Sequence, residues 1–285
     1  MAESLREVKA RITSTKKTSQ ITKAMYMVSS SKVRRSQKTF VKYQDFMKSI
    51  GDIVLTVLSK ANDEYVHPLL TKREIKKTAY LLITSDTGLA GAYNANVFKY
   101  FEKLRTDENG DYVVGTIGRK GYAYIKSKGY PTLNEQAIFV RDDVMFVDIV
   151  PLATKFVEAY LKGEIDKLVI VYNHFVNSIT QETRSRELLP IDSISGDVIE
   201  REYLYEGGIE NTLNELLPMY IEAVIYGVIL DAKTSEHSSR MNSMKNATDN
   251  AEEVISKLQI LYNRARQSAI TTELTDIIAG ANAVE

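Results

Sequence analysis

The sequence predicts an α/β protein. A long antiparallel two-helix coiled coil, formed by the N- and C-terminal helices, carries a small Rossmann-like α/β domain inserted between them. Three observations predict this plan. Helix breakers crowd the middle: residues 1–66 hold no Pro and one Gly, Gly51, while residues 219–285 hold no Pro and only Gly227 and Gly280. Both ends carry small or apolar residues at alternating steps of three and four without a slip of register, as a helix with one packed seam does. Between them, short apolar runs alternate with stretches of helical spacing. The expected parts are residues 1–66 as the first helix, 67–208 as the α/β domain and 209–285 as the closing helix.

In the first arm the stripe runs Leu5, Val8, Ile12, Thr15, Ser19, Thr22, Tyr26, Ser29 and Val33. It continues through Ser36, Phe40, Tyr43, Met47, Ile50, Val54 and Val57 to Ala61. That predicts one helix of about 57 residues, roughly 85 Å long. A compact domain of this size cannot bury such a helix, so it is expected to project. The stripe is apolar at its start and from Phe40 onward. Between Thr15 and Ser36 it is small and hydroxylated, and the basic residues concentrate there. Such a seam is either slack or a place where outside surfaces touch.

The middle domain begins with AYLLIT at 79–84. YVVGTI at 112–117 and LVIVYN at 168–173 follow, near-continuous apolar runs of the kind that form strands covered on both faces. Residues 174–191 read as further strand. Helical spacing appears at 95–104, 120–128 and 145–161. A small parallel or mixed sheet follows from this alternation.

The last arm repeats the heptad through Leu216, Tyr220, Ala223, Gly227, Leu230, Thr234, His237, Met241 and Met244, and on through Leu258, Tyr262, Ala265 and Ala269 to Thr272. Pro218 near its start marks a first turn or a kink. Antiparallel pairing would set the region from Phe40 to Ala61 against Leu216–Leu230, and the region from Leu5 to Val33 beside Met244–Thr272. The second helix outruns the first. Its tail carries Ile277, Ile278, Ala279, Ala281 and Val284, which either frays or enters an apolar socket on another protein.

The charge follows the same division. The chain has 37 Lys+Arg and 37 Asp+Glu, but residues 1–60 carry net +9, residues 196–285 carry −8 and the middle −1. These are two solvated faces of opposite sign or surfaces for charged partners. A content of 44% hydrophobic and 26% charged residues is that of a globular chain, which argues against wholesale disorder. With no cysteine, disulfide scaffolds, thiol nucleophiles and thiolate metal sites are excluded. No uninterrupted apolar run approaches the ~20 residues of a membrane span, and the N-terminal stretch lacks a signal-peptide core, so the expected compartment is the cytoplasm.

Catalytic motifs are sparse. The stretch from Ser85 to Asn94 follows a strand and opens a helix, where a phosphate loop would lie. Its Gly88 and Gly91 lack the required spacing, as do Gly115, Gly118 and Gly121. The three histidines, His67, His174 and His237, form no metal pair, and Asp142, Asp143 and Asp148 read as a solvated helix start. Catalytic, cofactor and metal residues are therefore expected to be none. A basic coiled coil could instead bind nucleic acid through residues 1–60, but the acidic second helix would repel the same phosphates.

Particular residues carry a resemblance. QITKAMYMVS at 20–29, SDTGLAGAYN at 85–94, SEHSSRM at 235–241 leading to ATDNA at 247–251, and YNRARQSAITTEL at 262–274 stand in order along the whole chain. Together they resemble the gamma subunit of F-type ATP synthase, bacterial type. Departures are mild, at Ser238, Ser239 and Asn242, and the cysteine-bearing insertion of chloroplast relatives is absent. The resemblance implies a central rotor shaft inside a ring of alpha and beta subunits, with a foot beside the epsilon subunit and on the membrane c-ring. It also implies a place on the cytoplasmic face of the cell membrane and coupling of proton flow to catalysis elsewhere. By motif match, Lys23 and Met25 are expected at the contact with beta, and Arg266 and Gln267 at a hydrogen-bonding catch. Arg240, Thr271 and Glu273 are associated positions, and Ile277 and Ile278 belong to the part of the tail held in an apolar sleeve.

Overall fold

The computed structural model describes residues 5–62, 66–108, 110–133, 135–139, 141–200 and 203–282. The elements in order are α1 (Leu5–Leu58), a 3-10 turn (Pro68–Leu70), β1 (Lys77–Ile83), α2 (Tyr93–Asp107), β2 (Asp111–Ile117) and α3 (Arg119–Lys128). Then come α4 (Phe146–Leu161), β3 (Lys167–Phe175), β4 (Gln181–Leu189) and α5 (Ile209–Asn282). The chain divides into two compact units, residues 30–240 and residues 5–29 with 241–282, so the division cuts both long helices rather than falling at their ends.

In the larger unit four strands form one sheet in the order β2-β1-β3-β4. β1 lies parallel to β2 and to β3, while β4 runs antiparallel to β3. The stretch expected as continued strand at 174–191 is a hairpin. Asn177 Oδ1 accepts the N–H groups of Ile179 and Thr180, each at 2.8 Å, and reverses the chain between β3 and β4. The apolar runs have the predicted cause. Ala79, Leu81 and Ile83 face a core built with α4, α5 and the end of α1, whereas Tyr80 and Leu82 face Val97, Phe101 and Ile125 of α2 and α3. β2 is not a bare edge, because the N–H of Val114 bonds to Pro131 O and the N–H of Gly118 to Ile138 O.

The second halves of the heptad stripes are consumed in this unit. Tyr43 Oη donates to Ala223 O at 3.0 Å, and its ring stands edge-on to Tyr226 at 4.9 Å. Gly227 admits Tyr43, since a Cβ there would lie 3.2 Å from the ring. Gly51 has an equally local reason: a Cβ would strike Ser195 O, where the segment after β4 crosses α1. The crossing is tied by Asp197 N–H to Asp52 Oδ1 at 2.7 Å and Ile199 N–H to Thr56 Oγ1 at 2.9 Å. Pro218 lies at the tenth residue of α5, inside the helix rather than in its first turn. The helix starts earlier because Gly207 and Gly208 take positive φ and make the turn into it. Part of α5 is apolar enough to cross a membrane by composition, yet Leu213, Leu217, Ile221, Val224, Ile225 and Ile229 pack in the domain core.

In the smaller unit α1 and α5 run antiparallel. Val8, Ile12, Leu258 and Tyr262 form one cluster, and Thr248 Oγ1 donates to Thr22 Oγ1 at 2.7 Å. From Ile12 to Thr22 is ten residues forward, and from Leu258 to Thr248 ten residues back, as an unslipped antiparallel seam requires.

Candidate functional site

The candidate contact residues fall into three local settings. In the smaller unit the stripe positions Thr15, Ser19, Thr22, Tyr26 and Ser29 are buried or half-buried. Lys16, Lys17 and Lys23 are exposed, and Met25 is half-buried. Thr15 and Thr22 spend their hydroxyl protons on carbonyls of their own helix, Arg11 O and Ser19 O. The seam here is therefore polar, with Thr15 and Thr22 bonded within their own helix, and Lys23 lies exposed outside it.

The second setting is the end of α5. Every residue described there from Arg266 onward is exposed except Ala281, whose side chain is not described, and Val284 lies outside the described residues. At ~100° per residue, Arg266, Gln267, Ile270, Thr271, Glu273, Leu274, Ile277 and Ile278 share one half of the helix. The other half carries Ser268, Ala269, Thr272, Thr275, Asp276 and Ala279. Ile277 is 61% exposed and Ile278 60%. The expected seam continuation at Ala269 and Thr272 is exposed as well. The apolar half is turned away from those two seam positions, so it is not a prolongation of the α1–α5 contact. The six C-terminal candidates thus come together, four polar residues leading into two isoleucines.

Arg240 belongs to a third setting, in the larger unit. It is 9% exposed. Its guanidinium donates to Glu236 Oε1 at 2.8 Å, to Thr87 Oγ1 at 3.0 Å, and to the carbonyls of Thr87 and Gly88 at 3.3 Å. Lys233 reaches the other Glu236 oxygen at 3.1 Å. Ser239 Oγ donates to Ala90 O at 2.7 Å. This side chain fastens the 85–94 loop to α5 and has little surface of its own. The loop is also closed from within: Asn94 Oδ1 accepts the Ser85 N–H at 3.0 Å, and Ser85 Oγ donates to Thr87 O at 2.7 Å. Its displayed residue is Leu89, 61% exposed at φ 63, which sequence reading passed over. The available signal was a leucine held between two glycines in a loop otherwise read as a turn.

The glycines of the β2–α3 turn have an internal explanation too. Gly118 has φ 96, and a Cβ there would meet Thr84 O, while Thr84 Oγ1 accepts the Gly121 N–H at 2.8 Å. The histidines are equally occupied with folding. His67 Nδ1 accepts the Leu69 N–H at 3.1 Å and caps the 3-10 turn. His174 Nδ1 lies 2.6 Å from Asp231 Oδ2. His237 is buried with both ring nitrogens lacking a hydrogen bond among the described residues, although Nε2 stands 3.2 Å from Asp142 Oδ1. Burial lowers its pKa to about 4, against the opposing pull of Glu236 and Asp142. Burial disfavours the charge on Asp142, but Lys32 at 2.6 Å and His237 hold its pKa below the usual range. Asp148 accepts the Met145 N–H at 2.9 Å and completes the first turn of α4.

Comparison with known proteins decides the family. A family model described as ATP synthase matches residues 4–284. The chain is 44% identical to the ATP synthase gamma chain of Macrococcus caseolyticus over 288 residues, covering 99% of each. It is also 44% identical to that of Exiguobacterium sibiricum, covering 98% of this chain and 99% of the relative. The chain belongs to the ATP synthase gamma chain family. Its place is the central stalk of an F-type ATP synthase. Among solved structures, the central stalk and c-ring of Tetrahymena thermophila mitochondrial ATP synthase aligns with TM-score 0.60 at 25% identity, covering 80% of this chain and 99% of that one. A chain of the Euglena gracilis mitochondrial enzyme aligns with TM-score 0.70 at 20% identity, covering 98% and 94%, and shares the fold.

Proposed function

We propose that this family member is the non-catalytic rotor of a proton-translocating F-type ATP synthase, passing rotation between the membrane c-ring and the catalytic beta subunits. The observation that carries the proposal is the end of α5, an exposed helix whose Ile270, Leu274, Ile277 and Ile278 pack in no hydrophobic cluster among the described residues. An apolar face of that kind favours an apolar sleeve, here one supplied by the alpha and beta ring. Arg266 and Gln267, with Thr271 and Glu273, would meet polar groups at the mouth of the sleeve, and Ile277 and Ile278 would enter it. Lys23 and Met25, on the face beside the hydroxylated seam, suit sliding contact with acidic levers on beta. Charge attraction there survives rotation better than interlocked side chains do. Arg240 would act indirectly by holding the 85–94 loop, so that Leu89 and its neighbours keep one shape against a partner.

In this reading residues 1–66 and 209–285 are the shaft, and 67–208 the foot that meets the epsilon subunit and the c-ring. The complex works at the cytoplasmic face of the membrane, and this chain is membrane-associated only through it. Chemistry stays with the beta subunits. The test is assembly: mixed with alpha and beta subunits, the chain co-elutes with them in gel filtration, whereas the Ile277→Asp/Ile278→Asp variant does so at least about tenfold more weakly. Equal co-elution of the two would remove the tail from the contact.

A further inference from the structure

The larger unit contains a pocket of about 580 Å³ that the rotor role leaves unused. It lies between the second half of α1, the first third of α5 and the β3–β4 hairpin, and the 195–197 segment closes one side. Its floor is apolar, from Phe40, Met47, Val224 and Val228, and its volume is within the range of small-molecule sites. The wall provided by the hairpin is basic. Arg184 and Arg186 alternate with the half-buried Thr183 and Ser185 along β4 and so share one face, about 7 Å apart. Register places Arg184 opposite Tyr172 and Arg186 opposite Ile170, so both arginines stand beside the apolar floor.

The acidic groups of the pocket are already engaged. Asp231 turns one oxygen to His174 Nδ1 at 2.6 Å and the other to the Phe175 N–H at 2.9 Å. Asp197 meets Lys48 at 3.3 Å. Arg184 shares an exposed pairing with Glu182 at 2.7 Å, and Arg186 has no ion pair among the described residues. Arg186 therefore faces the cavity without an ion pair, and Arg184 and Lys48 pair only with exposed carboxylates at its edge. Paired forks suit the tetrahedral oxygens of a phosphate better than a single charge would.

We propose that this pocket binds a small organic phosphate, its phosphoryl group held by Arg184 and Arg186 and its apolar body on the floor of Phe40, Met47 and Val224. Charges on an edge strand also guard against strand-to-strand aggregation. That role needs no cavity beneath the arginines and no apolar floor. A bound ligand would join α1, α5 and β4, and so raise the thermal stability of the chain.

The test is calorimetric titration of the full chain with phenyl phosphate and, separately, with inorganic phosphate, with backbone amide shifts locating the site. Expected are saturable binding of phenyl phosphate below about 1 mM and at least about tenfold weaker binding of inorganic phosphate. Arg184→Gln/Arg186→Gln, both at exposed positions, weakens phenyl phosphate at least about tenfold. Met47→Trp, which fills the floor and leaves the cations, weakens phenyl phosphate while leaving inorganic phosphate unchanged. No saturable binding by about 10 mM, equal affinity for the two probes, or undiminished binding in either variant overturns the proposal. So do shifts that map away from the hairpin.

Discussion

The two compact units solve the same problem, holding α1 against α5, with different side chains. In residues 30–240 the seam is aromatic and aliphatic: Tyr43 stands edge-on to Tyr226, fits over Gly227 and bonds to Ala223, with Met47, Ile50 and Val54 behind it in a core shared with the sheet. In residues 5–29 with 241–282 the buried apolar cluster is Val8, Ile12 and Leu258, with Tyr262 against it. Beyond this cluster the seam turns to Ser19, Thr22, Ser29 and Thr248. Apolar area removed from water contributes about 25 cal/mol per Å², and hydroxyl pairs contribute little net. The difference teaches that the stability of the two units is unequal by composition, although the heptad register is the same in both.

The comparison breaks first at the sheet. Phe156 is fully buried, and its ring occupies the space that a side chain at position 115 would need. Phe156→Ala should cost about 3–5 kcal/mol, read as a loss of denaturant midpoint, and a cost below about 1 would contradict the packed core described. Next comes a pH dependence peculiar to the larger unit. His237 has its pKa depressed from 6.5 to about 4 in the folded chain. Between these values the unfolded chain takes up a proton that the folded chain refuses, so stability falls as pH drops through the window, by roughly 3 kcal/mol in all. His237→Gln should flatten that slope between pH 6.5 and 4, and an unchanged slope would assign it to other groups.

Smaller effects sharpen the account of the thin unit. Ile12→Ala should cost about 2 kcal/mol, at the low end of such truncations because a slender helix pair can close the gap. It should act on hydrogen exchange in residues 5–29 and leave the sheet amides protected, whereas loss of protection throughout would mean the units unfold as one. The smallest change expected is for Thr22→Val with Thr248→Val. Removing both hydroxyls of the 2.7 Å pair leaves no orphaned donor, so stability should stay within about 0.5 kcal/mol of the parent.

Much of this fold was legible because the heptad and the strand pattern are long-range averages over many residues. Val8 and Ile12, like Leu258, are stripe positions, and every stripe residue from Leu5 to Val57 is buried or half-buried. The β3–β4 hairpin was merged into one strand because its turn uses Asn177 and no glycine or proline. Pro218 was read as a first turn or a kink because a proline is read locally, while the helix around it is held by tertiary packing of Leu213 and Leu217. At the candidate site, the exposure of Ile277 and Ile278 follows from one helix outlasting the other. The burial of Arg240 does not, since it depends on a loop about 150 positions earlier in the chain. The pocket under Arg184 and Arg186 had no signal in any motif, because its walls come from α1, the β3–β4 hairpin, the 195–197 segment and α5, far apart in the chain.

The central claim is that this chain controls catalysis without performing it. The most direct measurement is ATP-driven rotation of a probe attached to the chain inside a ring of alpha and beta subunits, set beside ATPase assays of the chain alone. The account predicts no turnover by the purified chain and stepwise rotation in the ring, with rotation weakened by Arg266→Ala/Gln267→Ala while the sheet amides stay protected. Turnover by the chain on its own, or a ring that hydrolyses ATP while the attached probe stays still, would contradict it.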